Sequence, residues 1–213
     1  LLDISRLDSG ALRPEPTTFR IADLLRQIEV EFAPMAAAKG LQLRFVTSSL
    51  TVRSDRRLLR RVLQNLVSNA IKYTPKGHVL VGVRRRGEAL RIEVLDTGVG
   101  IPKSKQRDIF LEFHRLDRGA RIARGLGLGL SIVERIARVL GHKVEVVSAS
   151  GKGSSFSIEA PRGEAMPAGL PATEIIPIDP GQLAGVTTLC IDNEPAILDG
   201  METLLRGWGC TVI

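Results

Sequence analysis

The sequence has few of the residues that mark several common protein classes. Only two of its 213 residues are cysteines, and Cys190 and Cys210 lack metal-ligand spacing or a partner histidine, which argues against a disulfide scaffold and a zinc site. The net charge of +7 would suit a nucleic-acid partner, but aromatic residues make up only 4% of the chain, so few side chains could stack on bases. No apolar run approaches the roughly 20 residues that span a bilayer. We expect buried thiols, no nucleic-acid partner and no membrane segment within this chain.

The first residues do not resemble the start of a protein. Residues 1–4 are neither an initiator sequence nor a signal peptide. Residues 1–7 have helical spacing that Gly10 and Pro14 then interrupt, so residues 1–14 are expected to be the end of a helix. We therefore expect the chain to begin inside a longer cytoplasmic protein, whose other segments can still anchor it to a membrane.

Apolar periodicity predicts an α+β domain over residues 15–160. Helical patterns cover residues 21–38 and 128–140, and between them a further helix is predicted to be capped by Ser54 and ended by Pro75. Alternating patterns predict strands at 41–46, 78–84, 89–95, 143–148 and 154–159, with a hairpin at residues 86–88. Strands interleaved with helices, mostly in hairpin order, favour a two-layer α/β sandwich with a mixed sheet and helices on one face.

The composition changes after Ala160. Residues 161–184 are rich in proline, glycine and alanine and lack a core pattern, which predicts an extended linker. Residues 185–213 then show an apolar strand at 186–191, an amphipathic helix at 195–205 and the start of a strand at 210–213. This last piece is too short to bury a core alone.

Two asparagines and a lysine share one face of the predicted middle helix. With Asn65 at zero, Asn69 lies about 40° to one side and Lys72 about 20° to the other. Asparagine is a poor residue for the middle of a helix, so two on one stripe indicate a function. Amide oxygens suit Mg²⁺, which otherwise keeps water and phosphate ligands. The alternative is a solvated polar stripe.

Asp96 ends a predicted strand and opens the motif Asp-Thr-Gly-Val-Gly at residues 96–100. A carboxylate only accepts hydrogen bonds, which favours the amino group of adenine over the carbonyl of guanine. Gly98 and Gly100 allow a tight bend and the close approach of a flat ring. Tyr73 is placed to cover that ring. An ordinary turn and a core tyrosine are the alternatives.

A third motif, Gly-Leu-Gly-Leu-Gly-Leu at residues 125–130, precedes the last helix of the domain. Exposed amides at a helix N-terminus can hold phosphates. The preceding residues 101–124 form a long connection, which inside a compact domain is usually a functional lid or disordered. This connection also contains arginines that are placed to reach over a triphosphate, with a solvated charge run as the alternative: Arg115, Arg118, Arg121 and Arg124.

In this order the motifs resemble the catalytic, ATP-binding domain of sensor histidine kinases, within the superfamily shared with gyrase, heat-shock chaperones and mismatch-repair ATPases. The residues that resemble its boxes are 65–73 (asparagine box), 96–100 (first glycine box), 109–113 (phenylalanine box), 125–130 (second glycine box) and 151–154 (third glycine box). The resemblance covers about residues 15–160 and implies the Bergerat-type ATP-binding fold.

The resemblance also implies site residues and cofactors, ATP and Mg²⁺. Asn69 would ligate Mg²⁺ with help from Asn65, and Asp96 would hold the adenine amine. Arg115 would grip the phosphates and, with Asn65, form the catalytic pair. The implied ATP-binding residues are Asn65, Asn69, Lys72, Tyr73, Asp96, Gly98, Gly100, Arg115, Gly125, Leu126, Gly127, Leu128, Gly129 and Leu130.

The implied activity is transfer of the γ-phosphoryl group of ATP to a histidine. Superfamily members that hydrolyse ATP have a glutamate where Asn65 stands, and an amide cannot take a proton from water. The three histidines, His78, His114 and His142, lie in no acceptor-like segment. The acceptor is therefore expected upstream of Leu1, in the dimerising helix pair of a homodimer. A degenerate ATP-sensing module and a hydrolysing clamp ATPase are the alternatives.

Residues 189–195 resemble the opening of a response-regulator receiver domain, here an incomplete flavodoxin-like fold. Asp192 and Asn193 would form a weak Mg²⁺ site, because Asn193 replaces the second acid of the usual pair. The acceptor aspartate would lie beyond Ile213. The resemblance thus implies part of a hybrid kinase, with a receiver in the same chain and a separate response regulator as partners.

Overall fold

The computed structural model describes residues 13–111, 128–164, 185–190, 201–203, 205–207 and 209–213. They belong to two units, Leu1–Met166 and Pro167–Ile213. Most of the predicted helix end at residues 1–14, most of the connection after Leu111 and most of the predicted linker lie outside the described residues.

The first unit is organised around a five-stranded sheet and a separate strand pair. Its strands are β1 (Thr17–Arg20), β2 (Gln42–Phe45), β3 (Thr51–Ser54), β4 (His78–Arg86), β5 (Ala89–Asp96), β6 (Lys143–Ala149) and β7 (Gly153–Pro161). The large sheet has the order β2-β4-β5-β7-β6, in which β2 is parallel to β4 and all other neighbours are antiparallel. The predicted mixed sheet is confirmed.

Three helices share one hydrophobic core with this sheet: α1 (Ile21–Ala38), α2 (Arg56–Tyr73) and α3 (Gly129–Leu140). Along β5, Leu90, Ile92 and Val94 are buried in that core. Strand side chains alternate between faces, and the intervening Arg91 and Glu93 instead form ion pairs with each other and with neighbouring strands. Arg91 Nη1 lies 2.6 Å from Glu145 Oε2 on β6. The predicted two-layer arrangement, with helices on one face, is confirmed.

The N-terminus of α2 corrects one sequence-based expectation. Asp55, and not Ser54, is the N-cap: its Oδ1 accepts hydrogen bonds from the amides of Arg57 at 2.9 Å and Leu58 at 3.1 Å. These bonds lower the pKa of Asp55 against the raising effect of its burial. Ser54 is the last residue of β3, and its hydroxyl lies 2.8 Å from Nε2 of His142.

The antiparallel pair β1–β3 was not predicted, and it fixes where the first unit ends. Thr51 Oγ1 donates to the carbonyls of Gly163 at 3.0 Å and Glu164 at 2.9 Å, and Val52 bridges Arg162. Strand β7 itself continues to Pro161. Residues 161–164 are therefore bonded into the first unit, although the sequence places them in the linker.

The second unit contains a short parallel pair, β8 (Thr187–Thr188) and β9 (Thr211–Val212). Both strands are shorter than predicted. Residues 201–203 and 205–207 are helical, and residues 195–200 of the predicted helix lie outside the described residues. Cys210 is buried, as expected, whereas Cys190 is only half-buried.

Candidate functional site

The asparagine stripe lies on α2, whose opposite side is anchored in the core. Leu59, Leu63 and Val67 are fully buried, whereas Asn65, Asn69 and the more C-terminal Lys72 are half-buried. Asn65 Nδ2 donates to the carbonyl of Arg61, one turn earlier, at 2.8 Å. This bond engages the amide nitrogen and leaves the oxygen of Asn65 for another partner.

The start of α3 lies against this stripe. A Cβ atom at Gly129 would lie 3.0 Å from Asn65 Oδ1, which is a tight contact, and 3.6 Å from Asn69 Nδ2, which is an ordinary van der Waals contact. Leu128 is the N-cap of α3 and has no side-chain capping bond. Its carbonyl accepts from the amide of Ile132 at 3.0 Å and the hydroxyl of Ser131 at 2.8 Å. The positive end of a twelve-residue helix therefore lies next to two asparagines.

Asp96 is half-buried at the end of β5. Its Oδ1 accepts a hydrogen bond from the Gly98 amide at 2.8 Å. Burial raises the pKa of Asp96, and hydrogen bonds from Gly98 and Ser154 oppose that rise by stabilising the carboxylate. The result is a desolvated acceptor held in a defined orientation by its own loop.

The loop after Asp96 is clamped between two other elements. On one side, Val99 N donates to the carbonyl of Tyr73 at 3.2 Å, and a Cβ at Gly98 would overlap that carbonyl. On the other, Gly151 N donates to the carbonyl of Val99 at 2.8 Å. Gly100 has φ of 64°, and a Cβ there would overlap the Ala149 carbonyl. The end of α2 and the β6–β7 turn thus both determine where Asp96 lies.

The described residues bring together most, but not all, of the predicted site. Tyr73 ends α2 beside Gly98, while Leu128, Gly129 and the half-buried Leu130 begin α3. Arg115, Gly125, Leu126, Gly127, Asp192 and Asn193 lie outside the described residues. The phenylalanine box is described from Ile109, which is buried, to the exposed Leu111.

Ser154 belongs to the site but was missed as a site residue. Its amide and its hydroxyl both oppose the rise in the pKa of the Asp96 carboxylate. Strand pairing places Asp96 directly opposite Ser154. The third glycine box, residues 151–154, could have pointed to Ser154 as a site residue, because Ser154 directly follows the last glycine of the box. What the sequence lacks is the strand register that joins this box to Asp96.

The described part of the chain lacks two features that would bear on cofactors and membranes. No three His, Cys, Asp or Glu side chains there cluster in a way that could hold a metal ion. The amide oxygens of the stripe remain as hard neutral donors. Within the same residues, no helix has the length and hydrophobicity needed to cross a bilayer.

Comparison with known proteins shows where this arrangement recurs. Residues 54–164 match the family model of the histidine kinase-, DNA gyrase B- and HSP90-like ATPases. The chain is 35% identical over 165 residues to the sensor histidine kinase RcsC of Escherichia coli, covering 76% of this chain but 17% of RcsC.

Solved structures give the same fold. Full-length ShkA in complex with AMPPNP matches with a TM-score of 0.69 at 28% identity, covering 99% of this chain and 43% of ShkA. The catalytic domain of histidine kinase ThkA, in a nucleotide-free form, matches with a TM-score of 0.60 at 28% identity, covering 70% of this chain and 97% of that domain. The family model spans more than half of the 213 residues. The chain therefore belongs to the histidine kinase-, DNA gyrase B- and HSP90-like ATPase family, and carries its ATPase domain in the form found in histidine kinases.

Proposed function

We propose that this chain binds Mg-ATP and donates its γ-phosphoryl group to a histidine that lies N-terminal to Leu1 in the parent protein. The observation that carries the proposal is the contact of Gly129, at the start of α3, with Asn65 and Asn69 on α2. It brings an anion-attracting helix end next to two neutral amides. Gly129 and Asp96 mark two ends of the proposed nucleotide site, one for phosphates and one for the purine.

The order of residues along α2 sets the direction of the nucleotide. Asp96 and Gly98 meet α2 at its C-terminal end, beside Tyr73. Gly129 approaches it about one to two turns earlier, at Asn69 and Asn65. A purine held by Asp96 would therefore extend its phosphate chain along the stripe past Lys72 toward the start of α3. The complex of ShkA with AMPPNP, an ATP analogue, supports ATP as the ligand of this domain.

The residues present fit a magnesium ion. Asn65 Oδ1 faces the start of α3, where a side chain at position 129 would crowd it. We assign Asn69 and Asn65 as the protein ligands, since Mg²⁺ accepts one or two protein oxygens beside water and phosphate. A magnesium ion bound to these asparagines would neutralise part of the negative charge of the ATP phosphates. The chain itself orients the phosphates through Lys72 and the first turn of α3.

Asn65 favours transfer over hydrolysis. Hydrolysis needs a group that takes a proton from water, and the amide of Asn65 has no basic site for it. Its nitrogen is also engaged by the Arg61 carbonyl. Phosphoryl transfer instead depends on positioning and charge stabilisation, in which Arg115 would take part from the connection after Leu111.

The proposal extends to the parent protein and its partners. We infer a cytoplasmic catalytic part of a homodimeric sensor kinase, with a dimerising helix pair before Leu1. We also infer a receiver that begins near residue 185, with Asp192 and Asn193 as its weak metal site, and relay of the phosphoryl group to an aspartate after Ile213 and to a response regulator. The parent can be membrane-anchored through other segments.

Phosphotransfer can be tested with the chain and a separately supplied histidine-bearing helix-pair domain. With γ-labelled Mg-ATP, label should appear on that domain as an acid-labile, alkali-stable phosphoramidate. Asn65→Glu is the informative variant, because a carboxylate restores a proton acceptor and should raise acceptor-independent hydrolysis. Nucleotide binding without label on histidine would instead indicate an ATP-sensing module. Hydrolysis by the wild-type chain without any acceptor would indicate a clamp ATPase.

Asp96→Asn should relax the selectivity for adenine. The carboxylate of Asp96 repels the carbonyl oxygen of guanine because both groups only accept hydrogen bonds. The amide of asparagine can instead donate from its NH₂ group to that carbonyl. One exchanged hydrogen bond of this type is worth about 1–2 kcal/mol, so the ratio of ATP to GTP affinity should fall roughly tenfold. Competition of GTP against a fluorescent ATP analogue measures this ratio. An unaltered ratio in folded protein would argue against a purine at Asp96.

A further inference from the structure

Lys39 connects the end of α1 to the end of the asparagine helix. It is the C-cap residue of α1, and its side chain leaves that helix to reach α2. Lys39 Nζ donates to the carbonyl of Ile71 and to the carbonyl of Lys72, both at 2.7 Å. One ammonium thus satisfies two of the last carbonyls of α2, which have no partner within their own helix.

The next carbonyl along α2 is bound from the other direction. Tyr73 O accepts from Val99 N, which belongs to the loop that carries Asp96 and Gly98. Three consecutive carbonyls, those of residues 71, 72 and 73, are therefore held by Lys39 on one side and by the first glycine box on the other. A displacement of this turn would move Lys72, Tyr73 and the Asp96 loop together.

We propose that Lys39 is a positioning residue for the purine end of the nucleotide site, acting through the last turn of α2. The inference rests on the proposed function, because it concerns the same site. Lys39 is outside all the sequence motifs, and it touches the site only through backbone carbonyls. Its ammonium also offsets the partial negative charge at the C-terminus of α2.

The chemistry of the contact explains why a cation with several donors is needed. An ammonium has three hydrogens and can serve two carbonyls at once. Hydrogen bonds from a charged donor are about twice as strong as neutral ones. Partial burial lowers the pKa of Lys39, although the residue as a whole remains exposed. Arginine also carries several donors, whereas methionine keeps the length but has none.

The experiment compares Lys39→Met, Lys39→Arg and Lys143→Met in the full chain. Lys143 is an exposed residue paired with Glu145 on β6, so its replacement removes the same charge without touching α2. Affinity for ATP and for adenosine is measured by NMR titration well below the melting temperature of each variant. Lys39→Met should weaken both ligands by a similar factor of about ten, the loss expected when a charge-assisted bond is removed. Lys39→Arg should bind both within about threefold of wild type, and Lys143→Met should bind as wild type.

Each outcome separates this inference from the proposed function. Unchanged affinity in Lys39→Met overturns the positioning role, even where the melting temperature falls, because a purely structural residue would show that pattern. A loss confined to ATP also overturns it, since the effect would then be on phosphate charge. If Lys39→Met does not fold, Lys39→Gln replaces it, because glutamine keeps a neutral donor group. The affinity of Lys39→Gln for ATP and adenosine should then fall by less than tenfold, and an unchanged affinity would overturn the positioning role. Failure of the wild-type chain to bind ATP refutes the proposed function instead.

Discussion

Asn69→Ala should remove the magnesium-dependent part of ATP affinity while leaving the fold intact. Asn69 is half-buried on the polar stripe of α2, outside the apolar core, so its truncation leaves no cavity among Leu63, Leu66 and Val67. Loss of a ligand oxygen to a cation should weaken Mg-ATP binding by roughly 10- to 100-fold. Affinity for ATP in the presence of a chelator should stay close to that of the wild type. Isothermal calorimetry with and without Mg²⁺ measures both.

Gln64→Ala is the matched control for this change. It removes a side-chain amide from the same helix, but that amide donates to Glu31 on α1 at 2.8 Å and faces away from α3. We expect Mg-ATP affinity to be preserved in Gln64→Ala. Equal affinity of Asn69→Ala and wild type for Mg-ATP would rule out the assigned metal ligand.

Gly100→Ala should strongly destabilise the protein, although it adds only one methyl group to the site. The residue has φ of 64°, which costs an L-residue about 1–2 kcal/mol. Its new Cβ would also overlap the Ala149 carbonyl, a backbone atom that cannot rotate away. Overpacking of this kind costs about 1–3 kcal/mol more. At about 3 kcal/mol in total, the melting temperature should fall by roughly 6–12 °C.

Gly40→Ala isolates the conformational part of that cost. Gly40 has φ of 67°, but nothing lies within 4 Å of the Cβ that would be added. Thermal unfolding followed by circular dichroism should therefore show about half the shift, or less, for Gly40→Ala. A similar fall in melting temperature for the two variants would mean that the β6–β7 turn moves to make room for the new methyl group. The turn would then not hold the Asp96 loop in place.

The parts of the fold that the sequence predicts are those with long periodic patterns. The alternating patterns at residues 78–84 and 89–95 predict β4 and β5, which have nine and eight residues. The hairpin between them turns at Gly87, within the predicted residues 86–88. Strands β1 and β3 were both missed, because Thr-Thr-Phe-Arg and Thr-Val-Arg-Ser do not alternate between apolar and polar residues. The equally short β2 was predicted because it lies within the alternating run at residues 41–46. The N-cap of α2 was misplaced by one residue because Ser54 and Asp55 are both good capping residues. Only the direction of the chain out of β3 decides between them.

The candidate site was predictable as a set of motifs but not as a set of contacts. The stripe of Asn65 and Asn69 follows from helical geometry alone. Their contact with Gly129 depends on how α3 packs against α2, and the pairing of Asp96 with Ser154 depends on register between distant strands. Lys39 acts on carbonyl groups, which every residue possesses, so no pattern of side chains marks it. Side-chain periodicity carries no information on such backbone contacts.

The parallel pairing of β2 with β4 has a consequence for the origin of the site. Between parallel neighbours the chain must return from one end of the sheet to the other, and α2 lies on that return path. Crossovers of this type are right-handed in nearly all proteins, because strand twist and helix sense share one stereochemical cause. By this rule, the chirality of L-amino acids favours one side of the sheet for the helix that displays the asparagines. Substitutions along the stripe can change which ligand is bound, but they do not change the side of the sheet on which the stripe lies.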